Sequence, residues 1–137
     1  MEIGTKGQYG LEALVYMASC PENTQFSINT IATQRNISEK YLEQIFSLLK
    51  KGGIIQSSRG KYGGYHFLIA PKDLTVLEVL ECLTGSLEPV KCIQSVHCKR
   101  EAICKSKPVW EKMYDHMKLV LEDVTIQSLA DEYRRQL

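Results

Sequence analysis

Nowhere among the 137 residues is there an apolar run approaching the roughly 20 residues of a membrane-spanning helix. The opening Met1-Glu2-Ile3-Gly4-Thr5-Lys6 lacks the apolar core of a secretion signal, so a cytoplasmic protein without membrane contact is expected. No tract is low in complexity and no segment repeats, which argues against disorder and against a solenoid. The chain has no Cys-x-x-Cys, no evident acid and base pair and no pocket signature, so an enzyme is not expected. Net charge is only +1, but it is unevenly spread. Residues 1–72 carry eight Lys and Arg against five Asp and Glu, net +3, whereas residues 73–137 carry nine against eleven, net −2. The front half can face a polyanion, though weakly. With 44% hydrophobic residues, the length suffices for one core plus appendages.

What is present in the front half is helical periodicity followed by strand. Between Tyr9 and Ala18, Leu11, Leu14, Val15 and Ala18 fall on one helical face, and Pro21 stops the run. Ser27 is placed to cap a second, short helix carrying Ile28, Ile31 and Ala32. Arg35-Asn36-Ile37 makes a tight connection, and Ser38 offers another cap before Leu42, Ile45, Phe46 and Leu49 repeat the helical spacing up to Gly52-Gly53. Two short helices joined this closely predict a helix-turn-helix. On the far side of the third helix, Ser38, Lys40, Tyr41, Glu43 and Gln44 are side chains that reach bases and phosphates, although an ordinary solvated face has the same composition. Two strand-favouring runs follow, residues 54–59 and 65–69, around the glycine-rich turn 60–64. Arg59, Gly60, Lys61 and Tyr62 form the basic tip of this hairpin. The turn joins strand to strand, with no helix N-terminus to hold a nucleotide phosphate. A helix-turn-helix with such a hairpin is a winged helix, predicting a mainly α fold with a small β-hairpin wing.

Behind it, a fourth helix is expected near Val76 to Leu83. From Trp110 on, Met113, Met117, Val120 and Val124 recur at gaps of three and four, with Pro108 suited to a first helical turn. That stripe predicts either a dimer seam or packing on the chain's own core. Thr125 is placed to cap a last helix anchored by Leu129 and Tyr133. Of five cysteines, Cys20 and Cys82 sit in helical, apolar surroundings that favour simple packing. Cys92, Cys98 and Cys104 are spaced six apart in a loop between Pro89 and Lys107. Three thiols on one loop suit an iron–sulfur cluster, zinc or a redox-reactive set, and spacing does not choose among them. Lys91, Lys99, Arg100 and Lys105 nearby favour thiolates.

In order and spacing, Gly4-Thr5-Lys6-Gly7-Gln8-Tyr9-Gly10, Ile37-Ser38-Glu39-Lys40-Tyr41-Leu42-Glu43-Gln44 and Arg59-Gly60-Lys61-Tyr62-Gly63-Gly64-Tyr65 resemble the Rrf2 family of bacterial transcription regulators. That resemblance spans essentially the whole chain. It implies a homodimer on a near-palindromic operator of double-stranded DNA, with Tyr41, Glu43, Gln44, Arg59 and Gly60 foremost in contact. It divides the chain into a DNA-binding domain, 1–72, a linking helix and cysteine loop, 73–107, and a dimerisation helix with tail, 108–137. It also implies that Cys92, Cys98 and Cys104 hold an iron–sulfur cluster, of [2Fe-2S] type, supplied by iron–sulfur assembly machinery. The cluster-binding branch includes regulators of iron–sulfur biogenesis and sensors of nitric oxide, while cluster-free relatives answer to protein partners. In the biogenesis regulators a histidine stands three residues beyond the last cysteine. Here that position is Lys107, which has no lone pair to donate when protonated. Alternatives for the fourth ligand are His97, Glu101, His116, Cys82 or a residue of the partner subunit. Gln8 stands where some nitric-oxide sensors carry an acid.

Overall fold

The computed structural model describes residues 3–61, 63–90, 99 and 104–136. Tyr62, Cys92 and Cys98, together with His97 and Glu101, lie outside the described residues.

The first helix, α1 (Gly4–Ser19), begins five residues earlier than its apolar spacing predicts. Glycine is a poor helix former, but here two of them bring helices together. A Cβ on Gly7 would come within 3.3 Å of Leu80 and 3.1 Å of Thr84, and one on Gly10 would collide with Leu83. The buried face therefore runs through Gly7, Gly10, Ala13, Leu14, Met17 and Ala18, and the expected Leu11 and Val15 are only half-buried beside it.

Hydroxyl side chains open the next elements as expected. Ser27 Oγ accepts from the Thr30 N–H at 3.1 Å and starts α2 (Ile28–Arg35). Asn36 takes the left-handed conformation, φ 55°, which a short polar side chain tolerates, and turns the chain toward Ser38. Ser38 Oγ accepts from the Tyr41 N–H at 3.2 Å and starts α3 (Glu39–Lys51). All four apolar residues of the α3 stripe, Leu42, Ile45, Phe46 and Leu49, are fully buried.

The strands are shorter than their apolar runs. They are β1 (Ile55–Ser58) and β2 (Gly64–Phe67), antiparallel in the register Ile55 with Phe67 and Ser58 with Gly64. Gly64 thus belongs to β2 rather than to the turn. Its bare backbone lies against Phe26, where a Cβ would come within 2.7 Å of the Phe26 carbonyl, and Phe26 bridges to Tyr65 as a one-residue extension of the sheet.

Thr75 opens α4 (Val76–Thr84) with a capping box: its Oγ1 accepts from the Glu78 N–H while Glu78 Oε2 accepts from the Thr75 N–H. After the cysteine segment come α5 (Lys107–Asp123) and α6 (Ile126–Gln136), the latter begun by a reciprocal pair between Thr125 and Ser128. The α5–α6 joint is stitched to the start of α4 by the Val76 N–H to Val124 carbonyl bond and the Ile126 N–H to Leu74 carbonyl bond, both 2.9 Å. Helix α6 then returns to α1, where Arg134 donates to the Ala18 and Ser19 carbonyls at its C-terminal end. Ile126 and Ala130 join Leu14 and Phe46 in one buried cluster. The boundaries at 72 and 107 therefore separate roles along the chain and do not separate cores.

Candidate nucleic-acid interface and cysteine segment

With its apolar stripe consumed by the core, α3 presents Lys40, Glu43 and Gln44 to solvent on one face. Ser47 and Lys51 continue that face and are also exposed. They went unnoticed in the sequence, although the 3.6-residue period that groups Lys40 with Gln44 also brings them in. Ser38 stands at the start of the face, with its hydroxyl engaged as the cap. Tyr41 is placed differently. Its ring is half-buried, its hydroxyl is hydrogen-bonded to Thr5 Oγ1 at 3.0 Å, and its edge meets the Tyr9 ring, centroids 6.0 Å apart at 86°.

The wing is held in fixed relation to α3. Lys50 Nζ donates to Ser57 Oγ at 2.9 Å, and Phe46 meets Tyr65 edge to face at 4.9 Å. Gln56 and His66, opposite one another in the hairpin, bond at 2.7 Å. Arg59, Gly60 and Lys61 are exposed at its tip. Gly60 has φ 104°, open to glycine and strained for other residues, and its carbonyl accepts from the Gly63 N–H at 3.0 Å to close the turn. Lys40, Gln44, Arg59 and Lys61 are thereby carried on two elements braced against each other, as groove recognition requires.

Of the three loop thiols, Cys104 is the one described: half-buried just before α5, with Sγ 3.7 Å from Ser106 Oγ. Lys107 pairs with Glu111 at 3.8 Å, so an ion-paired ammonium stands where the family places a histidine. Among the other ligand candidates, Cys82 faces α3, donating from Sγ to the Leu48 carbonyl at 3.3 Å. Burial raises its pKa and so disfavours the thiolate that a metal needs. Cys20 likewise donates within its own helix end, to the Tyr16 carbonyl at 3.4 Å. His116 is exposed and uses Nδ1 on the Lys112 carbonyl at 2.8 Å. Gln8 lies on a groove between α1 and α6, near Arg35, whose guanidinium stacks 5.1 Å from the Tyr16 ring and 5.8 Å from Tyr133. Among the described residues no three metal-ligating side chains converge.

The stripe expected as a dimer seam is divided. Met117 and Val124 are half-buried against the chain's own core, and Val124 lies past the end of α5 as its C-cap. Trp110 is half-buried, its indole N–H donating to Ser106 Oγ at 3.2 Å. Met113 and Val120 face outward, 42% and 63% exposed, joined by Val109 at 58% and Leu119 at 65%, neither of which the heptad spacing included. The heptad assignment placed the outward face about one residue off, because Leu121 and Met117 pack inward.

Comparison with known proteins agrees with this architecture. The Rrf2 family model, described as an iron-dependent transcriptional regulator, matches residues 3–132. The transcriptional regulator CymR of Bacillus subtilis is 35% identical over 131 residues, covering 95% of this chain and 90% of that protein. The solved structure of CymR, the global cysteine regulator of B. subtilis, superposes with a TM-score of 0.78 at 34% identity, covering 96% of this chain and 98% of that one. IscR of T. potens superposes with a TM-score of 0.79 at 31% identity, covering all of this chain and 92% of its own. These relatives are regulators of transcription and not enzymes. Among the described residues no helix is long and apolar enough to cross a membrane.

Proposed function

The chain belongs to the Rrf2 family of DNA-binding transcriptional regulators, and from that premise we propose that it acts in the cytoplasm as a homodimeric repressor on a near-palindromic operator. The observation that carries this reading is the fully buried α3 stripe, which leaves Lys40, Glu43 and Gln44 outward beside a braced wing. Gln44 and Glu43 are suited to base edges, Ser38 and Lys40 to the flanking backbone, and Arg59, Gly60, Lys61 and Tyr62 to the adjacent minor groove. Two half-sites one duplex turn apart need two α3 helices at that spacing. The outward apolar face of α5, with Trp110, Met113 and Val120 from the expected seam and Met117 and Val124 supporting it from within, supplies the surface for pairing.

In this reading Cys92, Cys98 and Cys104 hold a [2Fe-2S] cluster delivered by the assembly machinery, and the regulated genes are those of iron–sulfur assembly. The likeness to IscR and the chemistry of three soft thiolate donors support it. Bound, the cluster supplies a centre whose occupancy and charge follow iron and redox supply. The chain's own part is to supply thiolates on the segment joining α4 to α5, so that holding the segment in one form biases the spacing of the paired α3 helices. The ion pair of Lys107 leaves the fourth position to another ligand. Nitric-oxide or redox response is a variant of this reading.

The likeness to a global cysteine regulator favours a second reading, a cluster-free regulator answering to cysteine status through a protein partner. Oxygen-free purification separates the two. Visible charge-transfer absorption with equal iron and sulfide, lost on replacing Cys92, Cys98 or Cys104, is the expected result. A colourless protein, whether metal-free or holding zinc alone, overturns the cluster reading.

A further inference from the structure

The recognition helix α3 is tied down differently at its two ends. Its C-terminal half is fixed to β1 by the bond from Lys50 to Ser57, and to α4 by the bond from Cys82 Sγ to the Leu48 carbonyl. Its N-terminal half is the part that carries Lys40, Glu43 and Gln44. There the side-chain ties to the rest of the molecule run through Tyr41, to the Thr5 hydroxyl at 3.0 Å and the Tyr9 ring at 6.0 Å, and through a longer contact from Asn29 to Glu39 at 3.4 Å. One residue advances an α-helix by about 100°, so Tyr41 turns away from Lys40 and toward α1. An edge-to-face ring pair and a hydroxyl bond together define both the distance and the roll of one helix against another.

We propose that Tyr41 is a positioning residue and not a reader of bases: with Thr5 and Tyr9 it sets the roll of α3 against α1, and so places Gln44 in the groove. Thr5 and Tyr9, which lie outside the recognition helix, thereby become determinants of sequence preference. A bidentate contact between an amide side chain and a base edge tolerates little rotation of its carrier. When the tie is released, α3 rolls about the C-terminal anchors, and preference is lost before general affinity.

This inference rests on the assignment of Gln44 to base readout, and the test separates the two. Full-length protein is used to recover tight-binding duplexes from a random-sequence library, and preference at each base position is then measured for variants by competition. Gln44→Ala identifies the position that Gln44 reads. If Gln44→Ala alters no position, the readout assignment itself fails. Tyr41→Phe and Thr5→Val are expected each to reduce preference at the Gln44 position by roughly 2- to 10-fold, the range of one hydrogen bond. Their double variant should be no worse than either alone, Thr5→Ser should restore the wild-type value, and Tyr9→Phe, which keeps the ring, should be silent. Binding to a nonspecific duplex and the slope of affinity against salt should stay at wild-type values in all of them, a pattern that general loss of structure would not give. The proposal is overturned if Tyr41→Phe loses preference at a position of its own while Thr5→Val stays wild type, which makes Tyr41 a base contact. It is equally overturned if both variants keep full preference at the Gln44 position.

Discussion

Helices α3 and α5 are both amphipathic, yet the molecule uses them in opposite ways. In α3 the apolar stripe is spent inside the chain: Leu42, Ile45, Phe46 and Leu49 are all at 0% exposure. In α5 no residue is fully buried, and Val109, Met113, Leu119 and Val120 face outward while Met117 and Leu121 touch the core. A helix whose apolar face is used up within its own chain offers a polar face at a fixed orientation. One whose apolar face is only half used needs a second surface to cover it. The same periodicity in sequence therefore stands for a reading head in one place and for an assembly element in the other.

The comparison can be broken most forcefully by truncation in α3. Phe46→Ala removes a fully buried ring that also contacts Tyr65 at the wing root, and should destabilise the protein by about 3–5 kcal/mol. Chemical denaturation reads this directly. A loss under about 1 kcal/mol, the size of a surface substitution, would mean that α3 does not belong to the core. The corresponding change in α5 acts on association. Val120→Asp, duplicated by two-fold symmetry, should raise the dimer dissociation constant by on the order of 100-fold, since two carboxylates must be desolvated. Helical content should be unchanged, and sedimentation at graded concentration measures the shift. Unchanged association would remove the outward face of α5 from the dimer.

On the DNA side the effects are smaller and depend on salt. Arg59→Ala should weaken operator binding and reduce the slope of log affinity against log salt by about 0.9, the release of one counterion from one phosphate contact. If slope and affinity both stay at wild-type values, the tip of the wing lies off the duplex.

The two helices also differ in how far the sequence discloses them. The stripe and cap of α3 could be read residue by residue, because every apolar position meets the chain's own core and Ser38 bonds to the N–H three residues on. The wing was legible from its glycines, although Gly64 was misassigned, since nothing in the sequence reveals that the backbone of Phe26 lies against it. The start of α1 escaped notice because its glycines serve contact with Leu80 and Leu83, about 70 residues away in the chain, and local propensity opposes a helix there. In α5 the spacing was visible but its direction was not, because a period near 3.5 cannot say which side meets core and which meets a partner. Tyr41 illustrates the same limit within the reading head. Its position on α3 marked it as a reader, and only the proximity of Thr5 and Tyr9 shows that its ring is turned aside.

The smallest expected difference lies in how the two helices begin, and it sharpens the contrast most cleanly. Ser38 and Ser106 both occupy the N-cap position, but Ser38 accepts a backbone N–H whereas Ser106 makes no such bond and accepts from the Trp110 indole instead. Helix α5 starts instead with a proline in its first turn, where the missing N–H costs nothing. Ser38→Ala should therefore cost about 1 kcal/mol of stability. Ser106→Ala should cost less, because the group it leaves unpaired is a half-buried indole N–H with access to water. Paired thermal melts of the two variants measure the difference. Equal losses would mean that α5, like α3, depends on its serine for initiation, and that the contrast between a self-contained helix and a partner-dependent one does not extend to their first turns.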